Sequence, residues 1–151
     1  MARQQLSLAD IQRFLTDKLE EGKTLEYKRD LIDNTSHGKK EFLKDVTSLA
    51  NTAGGYLIFG IEEKDGLPVS LVGVPTGALE QEILRLESLL RTGVDPRLPG
   101  VEIYSVSVES KSVVVVGVER SWLSPHRVTL DGHAKFYAAI PEAPMTSTLT
   151  S

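Results

Sequence analysis

The run Tyr56-Leu57-Ile58-Phe59-Gly60-Ile61 constrains this chain more than any other stretch. It is almost continuously apolar, which suits a strand covered on both faces, because a half-exposed strand alternates apolar and polar side chains. Immediately before it, Asn51-Thr52-Ala53-Gly54-Gly55 closes an amphipathic helix over about 39–52. Phe42, Val46, Leu49 and Ala53 mark its buried face, and Lys39, Lys40, Lys44 and Asp45 are assigned to its polar faces. Gly54-Gly55 supplies the left-handed backbone that a helix end often needs. An amphipathic helix thus hands over to a buried strand at one small-residue junction.

The other elements follow from local pattern. Ser7 and Asp10 have capping-box spacing, and Leu8, Ile11, Leu15 and Leu19 recur at helical intervals, so the spacing predicts a first helix over 7–19. Thr24 to Lys28 reads as a short strand, with Leu25 and Tyr27 pointing one way and Glu26 and Lys28 the other. Asp33 to Gly38 is rich in turn formers and is expected to be a loop. Glu62 to Pro68 reads as a turn, and Val69 to Val74 as a returning strand. Thr76 is expected to cap a helix over 77–92, with Leu79, Ile83, Leu86 and Leu90 on one stripe and Gly93 and Pro96 beyond it. Val101 to Val108, Ser112 to Val118 and Ala134 to Tyr137 read as further strands. From Pro141 the chain is rich in Pro, Ser and Thr and is expected to be frayed or disordered. This order of elements predicts an α+β fold: a mixed sheet with about three packed helices.

At 151 residues the chain fits one domain with a real core. It contains no cysteine, which excludes disulfides, thiolate metal sites and cysteine nucleophiles. No apolar run approaches the roughly 18 residues of a membrane span, and the N-terminus lacks a signal-peptide core, so a cytoplasmic protein with no membrane partner is expected. A net charge of −4 argues against a strongly basic, non-specific nucleic-acid binder but leaves room for a local basic patch.

Two patterns could carry chemistry. Glu21 and Glu26 are five positions apart, with Lys28 just beyond; their carboxylates could converge on a hard cation, or one could hold Lys28 in place. Solvated charge is the plainer reading of such residues. At the junction, small residues permit close backbone approach, while Asn51 and Thr52 offer hydrogen bonds to a phosphate or sugar oxygen. A helix C-terminus nonetheless presents the wrong end of the dipole to an anion, and no Walker loop is present. A C-cap with close helix–sheet packing explains the junction equally well. His126 and His133, beside Pro125 and Gly132, read as surface-turn residues, and the lone Trp122 as packing, although an indole can also stack on a base.

Together these residues resemble a known family. Glu21-x-x-x-x-Glu26-Tyr27-Lys28, then Phe42-Leu43-Lys44-Asp45-Val46-x-Ser48-Leu49-Ala50-Asn51-Thr52-x-Gly54-Gly55-x-Leu57-Ile58-x-Gly60-Ile61, then Val72-Gly73-Val74, are similar to the Schlafen AlbA-like domain. The resemblance is specific through residues 21–74 and divides the chain into an N-terminal helix (1–20), the domain (21–140) and a tail (141–151). It implies DNA binding in a transcriptional regulator, with ATP binding a common companion label. In the animal Schlafen proteins it implies instead a metal-dependent endoribonuclease with three acidic residues. By position those would be Glu21, Glu26 and a third at Glu62 or Glu63, with Glu63 favoured, holding Mg²⁺ or Mn²⁺. Lys28, Arg29, Lys39, Lys40, Asn51, Thr52, Gly54 and Gly55 are the candidate nucleic-acid or nucleotide contacts. Nucleic acid, DNA or RNA, is the expected partner, with a homo-oligomer also possible.

Two departures from the family pattern matter. The third acid is commonly Asp, and the Glu found here lengthens the reach by a methylene. An arginine often follows the final strand's tyrosine, where this chain has Tyr137-Ala138-Ala139. The downstream region of longer members is also absent, so an isolated domain or a truncated chain is expected.

Overall fold

The computed structural model describes residues 4–130, 135–138 and 145–148. In chain order these form α1 (Leu8–Thr16), β1 (Leu25–Lys28), α2 (Ser36–Asn51), β2 (Gly55–Phe59), β3 (Ile61–Lys64), β4 (Leu67–Leu71), α3 (Leu79–Gly93), β5 (Val94–Asp95), β6 (Val101–Val108), β7 (Lys111–Val118), β8 (Arg127–Val128), β9 (Lys135–Ala138) and β10 (Met145–Thr148). The main sheet has the order β1-β2-β7-β6, the second sheet has the order β10-β9-β8-β5, and β3-β4 is a separate hairpin. β1 runs parallel to β2, whereas β7 pairs antiparallel with both β2 and β6. Among the described residues the fold is α+β, with three helices and mixed sheets, as the sequence pattern predicts.

The apolar run of β2 has two faces to fill. Leu57 and Phe59 join Val114, Val116 and Val118 of β7 in a core shared with Phe42, Val46 and Leu49 of α2 and Leu86 and Leu90 of α3. Ile58 faces the other way, with Tyr27, Val113, Val115 and Ile11 of α1. Each fully buried aliphatic or aromatic side chain contributes about 1.5–3 kcal/mol. Alternating residues of a two-sided strand therefore hold α1 on one face and α2 and α3 on the other.

α2 also contacts β8 and β9 of the second sheet, besides β2, β7 and α3. It is wrapped rather than laid on a surface, and residues 45–50 are all buried. Sequence periodicity shows one apolar stripe and so misses this second cover.

Several boundaries differ from expectation for local reasons. The capping box at Ser7 and Asp10 forms as expected, but α1 ends at Thr16. α2 begins at Ser36 rather than near Lys39, because Thr35 Oγ1 accepts the Gly38 N–H at 3.0 Å and makes the loop formers a cap. The expected turn over 62–68 is largely hairpin: Asp65 (φ 53°) and Gly66 (φ 82°) both take positive φ, which suits a tight two-residue connection. Ala78, not Thr76, occupies the α3 cap, without a side-chain bond. Within the tail expected to be frayed, Met145–Thr148 pairs antiparallel with β9. The remaining tail positions and His133 lie outside the described residues.

Candidate functional site

β1 is an edge strand, and its two faces lead to different environments. In register with Leu57 and Phe59, Glu26 and Lys28 share the face covered by α2. Lys28 Nζ lies 3.5 Å from Glu26 Oε1 and 3.5 Å from Asp45 Oδ2. Asp45 is only 6% exposed, which corrects its assignment to a polar helix face. The signal was available in the spacing: Phe42, Asp45 and Leu49 recur at i, i+3 and i+7, the stripe on which α2 is buried.

The electrostatics of this cluster are strained. Burial, reinforced by the nearby carboxylates Glu26 and Glu41 and only partly offset by Lys28, pushes the Asp45 carboxyl up to about 7. Burial pulls the Lys28 ammonium down, but Asp45 and Glu26 outweigh it and hold the group above its ordinary value. A small cavity of about 180 Å³ opens beside the cluster, between Lys28, Asp33, Glu41, Phe42 and Asp45.

Glu21 is bonded at the open edge of β1, and Glu63 lies in the β3-β4 hairpin. The Glu21 carboxylate accepts the Tyr27 N–H at 2.8 Å, and the Gly22 N–H donates to the Leu25 carbonyl at 3.0 Å. Residues 21 and 22 thus satisfy the open edge of β1, which would otherwise present unpaired backbone groups. Glu63 accepts the Gly66 N–H at 2.9 Å and closes its own hairpin. Burial raises the Glu21 carboxyl, and the charges of Glu26 and Glu63 add to that rise, so the three acids share a neighbourhood. They do not form a cation cage as placed: Glu21 and Glu63 each hold a backbone N–H, Glu26 turns to Lys28, and among the described residues no three carboxylates or histidines are grouped to hold a metal ion.

The junction proves to be a lock. Asn51 Nδ2 donates to the carbonyls of His126 (2.9 Å) and Tyr137 (2.8 Å), while Asn51 Oδ1 accepts the His126 N–H at 2.7 Å. Thr52 Oγ1 donates back to the Ser48 carbonyl at 2.8 Å. Gly55 has φ 150°, and a Cβ there would stand 2.1 Å from the Thr24 carbonyl oxygen, so only glycine lets β1 begin against it. These residues, expected as ligand contacts, have their side chains and backbone directed into the fold.

His126 is fully buried, contrary to its reading as a surface-turn residue. Its Nδ1 meets the Pro96 carbonyl oxygen and its Nε2 the Ser121 hydroxyl, each at 2.5 Å. A carbonyl can only accept, so Nδ1 carries the proton, while Nε2 shares a hydrogen bond with the Ser121 hydroxyl. Trp122, four residues earlier, is 94% exposed, so its expected role in packing is also corrected.

The basic candidates gather at the opposite end of α2. His37, Lys39 and Lys40 lie in its first half and Lys44 just past its midpoint, no acidic residue occupies its first turn, and Arg29 follows β1. Lys44 approaches Glu41 at 3.8 Å, and Arg29 approaches Asp30 at 3.2 Å and Glu62 at 3.9 Å. Such exposed pairs are weak and exchange readily for other anions. No described helix is long and apolar enough to cross a membrane.

Comparison with known proteins agrees with this architecture. The fold is similar to the DIP2311 protein of Corynebacterium diphtheriae (TM-score 0.61, 19% identity), matching 93% of this chain but only 26% of that one. It is also similar to the N-terminal domain of a RecG-related protein of Nitrosomonas europaea, named for an ATP-dependent DNA helicase (TM-score 0.66, 20% identity), matching 97% of this chain and 96% of that one. The chain thus spans about a quarter of the first of these proteins. No curated protein sequence matches significantly. The family model for Schlafen, AlbA_2 matches residues 21–138, and the chain therefore belongs to that family.

Proposed function

We propose that this domain binds nucleic acid, DNA in the first instance, through the surface formed by the end of β1 and the first half of α2. The observation that carries the reading is the basic concentration there: Arg29, His37, Lys39, Lys40 and Lys44 around a helix N-terminus with no acidic first turn. Oriented backbone N–H groups at a helix start favour phosphate, and lysines beside them add point charges. Family membership and the RecG-related neighbour, whose name refers to a DNA helicase, support the same direction. A role in transcription regulation is the form this binding takes in the family resemblance. With a net charge of −4, attraction is local, and affinity is expected to depend steeply on salt.

Fluorescence anisotropy of labelled duplex DNA and RNA at two salt concentrations tests this. For two to four phosphate contacts, log K should fall against log salt with a slope of roughly −2 to −4. An absence of binding at low salt would overturn the reading.

The shared neighbourhood of Glu21, Glu26 and Glu63 supports a second reading, metal-dependent RNA cleavage. The residues as placed do not fit a metal, so that reading requires Glu21 and Glu63 to leave their backbone partners. Incubation of folded RNA with Mn²⁺ and either wild type or Glu26→Gln tests it. Equal cleavage by both would sink it.

A further inference from the structure

We infer that Trp122 is a stacking platform for an unpaired nucleobase, with Arg120 placed for the adjoining phosphate. This inference rests on the nucleic-acid reading above and assigns to it a second contact region, at the opposite end of α2.

An indole left 94% exposed gains nothing from the core and leaves a large apolar face in water. A side chain in that position could be a loose loop residue, but its anchors argue otherwise. The Ser121 N–H donates to the Ala50 carbonyl at 2.9 Å, and Ser121 Oγ accepts the Leu123 N–H at 3.0 Å. His126 Nε2 is hydrogen-bonded to the Ser121 hydroxyl, and His126 is itself held by Asn51 and Pro96. The residues on either side of Trp122 are therefore tied to the C-terminal end of α2, and the indole is carried on a fixed base.

A groove of about 490 Å³ lies at the same place, lined by Ala53, Glu119, Arg120, Ser121, Trp122 and Ser124. That volume lies in the range of small-molecule sites. Its chemistry is an aromatic face, an exposed guanidinium, the Ser124 hydroxyl and a half-buried carboxylate, the Ser121 hydroxyl being engaged by His126 and Leu123. An aromatic face takes any base, the guanidinium takes phosphate, and hydroxyl and carboxylate groups suit sugar hydroxyls or exocyclic amines. A base paired within a duplex cannot offer its face, so the ligand is a single strand or a free nucleotide, and the strand is the form we assign.

The chain contains one tryptophan, so its emission reports this site alone. Wild type, Trp122→Ala and Trp122→Phe should be titrated with single-stranded oligothymidylate, a duplex of equal length and thymidine monophosphate. Indole emission and the anisotropy of labelled strands are followed in parallel. Single strands should quench the indole and duplex should not. Trp122→Ala should weaken single-strand binding roughly five- to a hundredfold and leave duplex affinity within about twofold, while Trp122→Phe should retain most of it. Strand binding seen by anisotropy without quenching would overturn the inference and leave the nucleic-acid reading intact; no binding by either probe would overturn both. Quenching by the mononucleotide equal to that by the strand, per base, would replace the strand with a free nucleotide. Emission that shifts with protein concentration alone would replace it with a second copy of the chain.

Discussion

Two polar clusters sit along α2, and they differ in how well their needs are met. At its C-terminal end Asn51, Ser121 and His126 form a network in which each named side chain has hydrogen-bond partners, at distances from 2.5 to 3.0 Å. At its middle, Glu26, Lys28 and Asp45 form a charged cluster with ion pairs at 3.5 Å, one carboxylate nearly buried, and that carboxyl pushed up to about 7. The first arrangement ties together segments 75 and 86 residues apart and gains from burial, because satisfied polar groups in a low-dielectric interior specify one geometry. The second tolerates burial at a net cost, since one ammonium stands among three acids. A satisfied network is architecture; a strained one is the place where protonation or an incoming phosphate can change the balance.

Breaking the lock should have the largest effect. Asn51→Ala leaves the His126 N–H and the carbonyls of His126 and Tyr137 without their partner. Denaturant unfolding should show a loss of about 3–4 kcal/mol. A loss below about 1 kcal/mol would mean water replaces the amide, and the network would not be a lock.

The charged cluster should respond to pH instead. Asp45 ionises at an ordinary value of 3.8 when unfolded and at about 7 when folded. Between those values the folded state binds the extra proton, so this group's contribution to stability is complete below about 4 and is lost as pH rises through 7. Asp45→Asn should therefore stabilise the protein by roughly 2 kcal/mol at pH 8 and by little at pH 4. Thermal melts of both proteins across that range check it; a difference independent of pH would remove the strain from the account. The smallest effect belongs to an exposed pair: Arg29→Gln should change stability by less than about 0.5 kcal/mol, while weakening DNA binding measurably.

The same contrast explains what could be read from the sequence. Tyr56 to Ile61 announced a two-sided strand because burial on both faces removes alternation, and the helices followed from their stripes. Residue type points Asp45 to a polar face although its spacing puts it on the buried stripe, and nothing local reveals the second sheet that covers α2. β5 and β8 are two residues each, too short for any period to register. The Asn51 lock joins residues far apart in sequence, which no local pattern records. His126 and Trp122 exchanged expected roles for a related reason: the histidine finds partners in Pro96 and Ser121, and the indole finds none in the core. Glu21 was legible as a residue of interest, but its bond to the strand edge was not.

The claim that the end of β1 and the first half of α2 meet nucleic acid, while the lock only shapes the fold, can be tested at residue resolution. Backbone amide shifts of labelled protein should be followed during titration with duplex DNA at low salt. Progressive shifts are expected at Lys28, Arg29 and residues 37–44, with Asn51 and His126 unmoved. Shifts confined to residues 51–55, or none at DNA concentrations that saturate anisotropy, would contradict it.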